Sequence, residues 1–276
     1  MSFLVLILTI LLEKLSHWRQ MLQKDQWWYE QLQRCHKLLS KQHTLALLLA
    51  LSLPLIALAL VLVSLKSVAY GLLLLPVHLI VLMYSLSRGD VRVALGPFTD
   101  AWRRQDTQAA SLAAQRDLLI QSEEPAGLLQ AVQGHLLWQG FQGFFAVIFY
   151  YIIAGPIAAL FYRLLVLTSE QSNWPQAAGK ATRILHALNW IPVRILSLSF
   201  ALLGNFITVS RTLTPDLLCI TEPADNLISK TGRAAVEAEN NALGIQGTDT
   251  LNDIWLLLIR SAVLWIAFLA FWTLFF

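Results

Sequence analysis

Charge is what this chain has least of. Only 13% of its 276 residues are Asp, Glu, Lys or Arg, about half the ~25% of an ordinary soluble domain. With 57% hydrophobic side chains and a mean hydropathy of +0.59, soluble globular, disordered and collagen-like chains are excluded. Cysteine is scarce as well. Cys35 and Cys219 stand far apart, which excludes a disulfide framework and a thiolate metal site. No dense basic patch accompanies the net charge of +3, because Lys and Arg sit beside apolar runs. That distribution orients a chain in a bilayer, so lipid is the expected surrounding and nucleic acid is not an expected partner. Catalytic signatures are missing too: there is no Walker A loop, GxSxG, HExxH or dinucleotide fingerprint. The six histidines (17, 36, 43, 78, 135, 186) follow no ligand spacing, so neither a metal nor a cofactor is expected.

What is present is a series of long apolar runs. Residues 45–65 carry no charge, and 68–87 follow almost at once, separated by Lys66 and Ser67. Each approaches the roughly 20 residues a spanning helix needs, so 44–87 is expected to be a transmembrane hairpin. Pro54 and Pro76 fall inside it, which a bilayer tolerates when neighbouring helices take up the freed carbonyls. His78 is expected to face another helix.

Residues 1–43 form an amphipathic N-terminal segment. Its first apolar run, 1–12, is short and is followed by Glu13-Lys14; a secretory signal carries its positive charge first, so the run reads as mature sequence. Between 13 and 43, Leu15, Trp18, Leu22, Trp28, Leu32, Cys35 and Leu39 recur at helical spacing among basic residues. This pattern suits a helix on the membrane surface or one packed in a cytosolic bundle.

Residues 88–143 are the main polar stretch, with Arg88, Arg92, Arg103, Arg104 and Arg116, and are expected to be a cytoplasmic helical region. Lys14, Arg19, Lys24, Arg34, Lys37 and Lys41 precede the first span, so the positive-inside rule puts the N-terminal segment in the cytoplasm too. Asp106-Thr107 and Thr250 near Asp253 read as helix starts. Residues 144–209 form a broken membrane segment: 144–167 is long enough to cross, but Ala154-Gly155-Pro156 interrupts it. Both a kinked span and a re-entrant hairpin satisfy that pattern. Residues 184–209 cross or lie at the interface; 210–253 form a polar loop with a short helix around 234–242; 254–276 form a last transmembrane helix. The expected fold is an all-α polytopic membrane protein with amphipathic cytoplasmic or interfacial helices.

Within this order the run Leu188-Asn189-Trp190-Ile191-Pro192-Val193-Arg194 resembles the LNWIPAR signature of the CobD/CbiB group, membrane enzymes that make adenosylcobinamide phosphate. Phe149-Tyr150-Tyr151 through Tyr162-Arg163, Arg116-Asp117 and Ala242-Leu243-Gly244-Ile245 are similar to its FYY…AYR, RDT and ALGV elements. The start of the chain, its length and LNWIPVR resemble the AmpE branch more closely. That resemblance implies a bacterial inner-membrane signalling modulator linked to β-lactamase induction and encoded beside a cytosolic anhydro-muropeptide amidase. The enzymes' acidic and amide positions hold Trp138, Gln139, Gln142, Val166, Ser169, Leu185 and His186 in this chain, and Leu118 replaces a threonine. Mg²⁺-assisted ligation needs carboxylates, so the expectation leans away from catalysis.

The expected function is therefore a non-catalytic regulator or sensor that contacts a lipid, a phosphorylated or muropeptide-type small molecule, a protein partner or a second copy of itself. Arg163, Asn189, Arg194, Tyr162, Arg116 and Asp117 are the candidate ligand-binding residues, because the planar fork of arginine suits phosphate or carboxylate. The alternatives are a remodelled amide-forming enzyme using Asp117, Glu123 and Glu124, and a small transporter built around the break at Gly155-Pro156.

Overall fold

A computed structural model describes residues 2–15, 25–38, 42–66, 73–86, 91–121, 124–171, 174–239 and 243–275. Ser67 of the expected hairpin turn, residues 16–24 and 39–41 of the amphipathic segment, Glu123 and residues 240–242 lie outside them. The described residues are helical and contain no strand. Four helices among them, His43–Lys66, Gly127–Ser169, Pro175–Leu203 and Ile245–Thr273, are long and apolar enough to cross a membrane. The protein is an all-α polytopic membrane protein, and its chain divides into two compact units.

The first unit is drawn from Met1–Arg88 and Ala146–Leu188. It holds α1 (Ser2–Leu15), α2 (Gln26–Leu38), α3 (His43–Lys66), α4 (Leu74–Ser85), α8 (Ala146–Ser169) and the first part of α9 (Pro175–Leu203). Helix α2 buries Trp28, Leu32 and Cys35, one face of its helical period. It packs on α3, where Ala46 and Ala50 are fully buried and the Gln31 amide donates to the Ala50 carbonyl at 2.9 Å. Farther along α3 the apolar side chains turn outward: Leu53, Ile56, Leu60 and Val63 are 56 to 70% exposed. A helix apolar all round with such a surface belongs in lipid. The short α4 packs on α8, and His78 meets the Tyr151 hydroxyl at 3.0 Å. This is the helix-to-helix contact expected of an isolated polar side chain in a membrane segment.

The second unit is drawn from Gly89–Phe145 and Asn189–Phe276. It holds α5 (Val91–Arg103), α6 (Thr107–Ala113), α7 (Pro125–Gly140), the rest of α9, α10 (Phe206–Leu213), α11 (Ala224–Ala235) and α12 (Ile245–Phe275), with π-turns at Ala114–Leu118 and Phe141–Phe145. Asp106 caps α6 by accepting from the Ala109 amide at 2.9 Å, as its place in the sequence predicts. Helices α7 and α11 pack closely: a Cβ on Gly232 would stand 2.5 Å from a Leu137 methyl. The fully buried Gln133 of α7 donates to the Thr250 hydroxyl of α12 at 3.0 Å and accepts from the Arg233 Nε of α11 at 2.9 Å. On α12, Trp265 donates to Ser199 at 3.0 Å, while Phe268, Phe271 and Trp272 project outward at 52 to 65% exposure.

Helices α7 and α8 join through the π-turn into one 43-residue helical stretch, Gly127–Ser169. At 1.5 Å per residue a straight rod of that length would measure about 64 Å, twice the ~30 Å hydrocarbon core. The helix therefore begins well before 144 and contains the break the sequence announces. Ala154 (φ −133°, ψ 16°) and Gly155 (φ 73°, ψ −162°) are non-helical. The Gly155 conformation is one that side-chain-bearing residues avoid, and Pro156 then occupies the first position of the second half, where a missing N–H costs nothing. That second half, 156–169, is shorter than a crossing requires.

Candidate functional site

Tyr162 and Arg163 lie in the second half of α8, within the first unit. Arg163 is 8% exposed, and its Nη2 stands 4.0 Å from the Asp25 carboxylate. Asp25 is 5% exposed and accepts a hydrogen bond from the Tyr84 hydroxyl at 3.0 Å. The Asp25 carbonyl receives the Trp28 and Tyr29 amides, so the residue sits at the head of α2, where a negative charge complements the helix dipole. The buried Arg163 Nε has no hydrogen-bond partner among the described residues. Tyr162 stacks on Tyr150 with ring centroids 5.4 Å apart. Tyr150 in turn donates to the Leu188 carbonyl at 2.7 Å. Pro192 has no N–H to offer four residues back, so that carbonyl lacks its helical donor. The tyrosine of the FYY element thus satisfies a group exposed by the proline of LNWIPVR.

Asn189 and Arg194 belong to the second unit, both on α9 and both buried, at 3% and 6% exposure. The Arg194 guanidinium donates through Nε to the Leu217 carbonyl, through Nη1 to Trp190 at 2.8 Å, and through Nη2 to Asp216 at 3.0 Å and Cys219 at 2.6 Å. Its carbon lies 4.2 Å from the centroid of the Trp190 ring. Four carbonyls and one aromatic face surround a cation with five N–H donors, and the segment 216–219 is wrapped around it. Arg116 and Asp117, also in the second unit, pair with each other through two bonds of 2.7 and 2.8 Å. They stand on the surface, and the guanidinium's hydrogen bond holds the Asp117 carboxyl below the usual carboxylate range. The candidates therefore divide between the two units: Tyr162 and Arg163 are in one, Asn189, Arg194, Arg116 and Asp117 in the other.

The partners of these residues carry no motif. Asp25 stands in a polar stretch, and the carbonyls around Arg194 are invisible to any reading of side chains. His36 and His43, unremarkable by spacing, are brought together with Trp174; the His36 ring lies 4.5 Å from the tryptophan and 5.7 Å from His43. No group of three or more His, Cys, Asp or Glu able to hold a metal occurs among the described residues.

Beyond the membrane segments the two cysteines differ in kind. Burial pushes the Cys35 thiol up, whereas the Thr221 hydroxyl and the Thr221 and Glu222 amides hold the half-buried Cys219 thiol down. Thiolate is the reactive form. A maleimide at neutral pH is therefore expected to label Cys219 about tenfold faster than Cys35, measured by intact mass on the Cys35→Ser and Cys219→Ser variants. Equal rates would mean that the 216–222 segment does not hold this arrangement in detergent.

A family model described as "Regulatory signalling modulator protein AmpE" matches residues 1–212. The chain is also similar to Protein AmpE of Shigella flexneri, with 27% identity over 155 residues, 51% of this chain and 54% of that protein. It thus spans about half the length of this curated relative. No solved structure matches the chain.

Proposed function

Because this chain belongs to the AmpE family of regulatory signalling modulators, we propose that it is a non-catalytic regulator of the bacterial inner membrane that tunes β-lactamase induction or related cell-wall signalling through a lipid, metabolite or protein partner. The observation that carries this reading concerns the positions where resemblance to the CobD/CbiB enzymes would place functional polar groups. Val166, Leu185 and Leu118 are 2%, 5% and 7% exposed and fill the hydrophobic core. None of these three side chains can ligate Mg²⁺, because that ion takes oxygen ligands. Arg163 and Arg194 fit the same reading: one faces a buried carboxylate and the other is closed over backbone carbonyls. Both hold the scaffold in place rather than standing open to substrate.

In this reading the N-terminal segment and the polar residues from 88 face the cytoplasm, following the distribution of Lys and Arg. The test is induction itself. In a strain with inducible β-lactamase and its own copy deleted, a β-lactam is expected to induce enzyme to a level several-fold different from the parent, and the wild-type chain should restore the parental level. Unchanged induction on deletion, together with ATP-dependent amide formation by the purified protein, would replace this reading with an enzymatic one.

A further inference from the structure

The second unit contains a cleft of about 190 Å³ between α5 and the foot of α12. From α5 it is lined by Arg92, Thr99 and Arg103, and from α12 by Thr248, Asn252 and Trp255, with three buried leucines beneath. The α5 residues recur at 7 and 11 positions from Arg92 and the α12 residues at 4 and 7 from Thr248, so each set forms one stripe of its helix. Among the described residues two cations line the cleft and no acid does. Asp100, Asp249 and Asp253 lie on the same helices but are exposed outside it. Arg92 donates to the Asn252 side chain at 3.2 Å, and its guanidinium carbon is 6.0 Å from the Trp255 ring centroid. The Arg103 guanidinium has no ion-pair partner among the described residues.

Location and size narrow the ligand. Ile245–Thr273 is a candidate span, and Trp255 stands where its apolar part begins, ahead of the single charge at Arg260, the level at which tryptophans meet lipid headgroups. A volume of 190 Å³ holds about six waters; this is below the 300–1,000 Å³ typical of whole small-molecule ligands. It suits a charged headgroup whose remainder lies outside.

We propose that this cleft binds the phosphate ester of an anionic phospholipid headgroup, Arg92 and Arg103 supplying the forked donors and the acyl chains lying along the apolar part of α12. The site is separate from the Arg163 and Arg194 neighbourhoods and does not depend on the regulatory reading.

The full-length protein in neutral detergent is titrated with dioleoylphosphatidylglycerol or dioleoylphosphatidylcholine and the bound lipid counted by native mass spectrometry. Phosphatidylglycerol should be retained preferentially, and Arg103→Gln should weaken that retention about tenfold, since a hydrogen bond to a charged group is worth about that factor. Arg92→Gln should weaken it similarly, but Arg92 also holds Asn252. Arg103, exposed on the surface, is therefore the decisive variant because its loss leaves the fold intact. Arg104→Gln removes the same charge one residue away, outside the cleft, and should change nothing. Equal losses at 103 and 104, or equal retention of both lipids by the wild type, would overturn the site. Inorganic phosphate alone identifies the source: a wild-type adduct that Arg103→Gln abolishes, without lipid preference, would assign free phosphate and overturn the lipid.

Discussion

Arg194→Ala is expected to destabilise the protein by about 3–5 kcal/mol, a loss comparable to breaking a buried charged contact. The reason is geometric. The guanidinium is a shared donor to the carbonyls of Trp190, Asp216, Leu217 and Cys219, and alanine removes its hydrogen bond to all four at once, although the Asp216 carbonyl keeps the Cys219 amide at 3.2 Å. A buried carbonyl left without a donor costs about 1–3 kcal/mol. The total stays below four times that figure because the 216–219 segment is only half-buried and water can reach part of it. The stacking of Arg194 over Trp190 is lost as well. In detergent the expected result is a Tm lower by about 5–15 °C, accompanied by a changed labelling rate at Cys219, whose carbonyl is one of the four. Arg194→Lys should recover only part of the stability, because one ammonium cannot reach carbonyls on several sides as a planar fork does. An unchanged Tm with an unchanged Cys219 rate would show that the segment is held by something other than Arg194.

The positions where the sequence anticipates the fold share a physical property: their signal is local. The uncharged run within His43–Lys66 needs no partner to announce a lipid-facing helix, Asp106 caps its own helix, and Gly155-Pro156 breaks its own backbone. Other positions depend on contacts from elsewhere in the chain. The polar residues between 127 and 143 read as an aqueous stretch, yet Gln133 is fully buried and satisfied by Thr250 and Arg233, so the apolar helix extends back through them. The helix expected around 234–242 instead occupies Ala224–Ala235. Alanine and glutamate favour continuation there, but the Asn205 amide takes the Ala235 carbonyl at 3.0 Å, and Glu237 adopts a positive φ of 51°. Thr250 likewise lies inside a helix that starts at Ile245, its hydroxyl turned to the Gly247 carbonyl at 2.8 Å. The candidate site follows the same division. Arg163 and Arg194 stand out within motifs, but what they bind, a carboxylate distant in sequence and a set of backbone oxygens, leaves no mark in residue spacing.

Breaking the Asp25–Arg163 contact should have an effect of similar size, and its mutant cycle has a distinctive form. The side chains are 2% and 9% exposed at a separation of 4.0 Å, so each charge has given up most of its hydration and is stabilised by the other. Arg163→Met removes the guanidinium from beside a buried carboxylate that also accepts from the Tyr84 hydroxyl, and a loss of about 3–5 kcal/mol is expected. Asp25→Leu takes the nearby carboxylate from a buried guanidinium whose Nε has no hydrogen-bond partner among the described residues, and should cost about as much. The double variant, with Tyr84→Phe to remove the orphaned hydroxyl, should recover most of the stability, because apolar groups of similar volume replace a desolvated pair at little net cost. Thermal unfolding of the single, double and triple variants in one detergent measures this coupling. Additive losses would mean that the two charges are compensated separately, and Asp25 would cease to be the anchor of α2 on the second half of α8. Strong coupling would give that half, too short to cross a bilayer alone, a defined attachment: a buried charge pair holding the end of the broken segment to the amphipathic N-terminal helix.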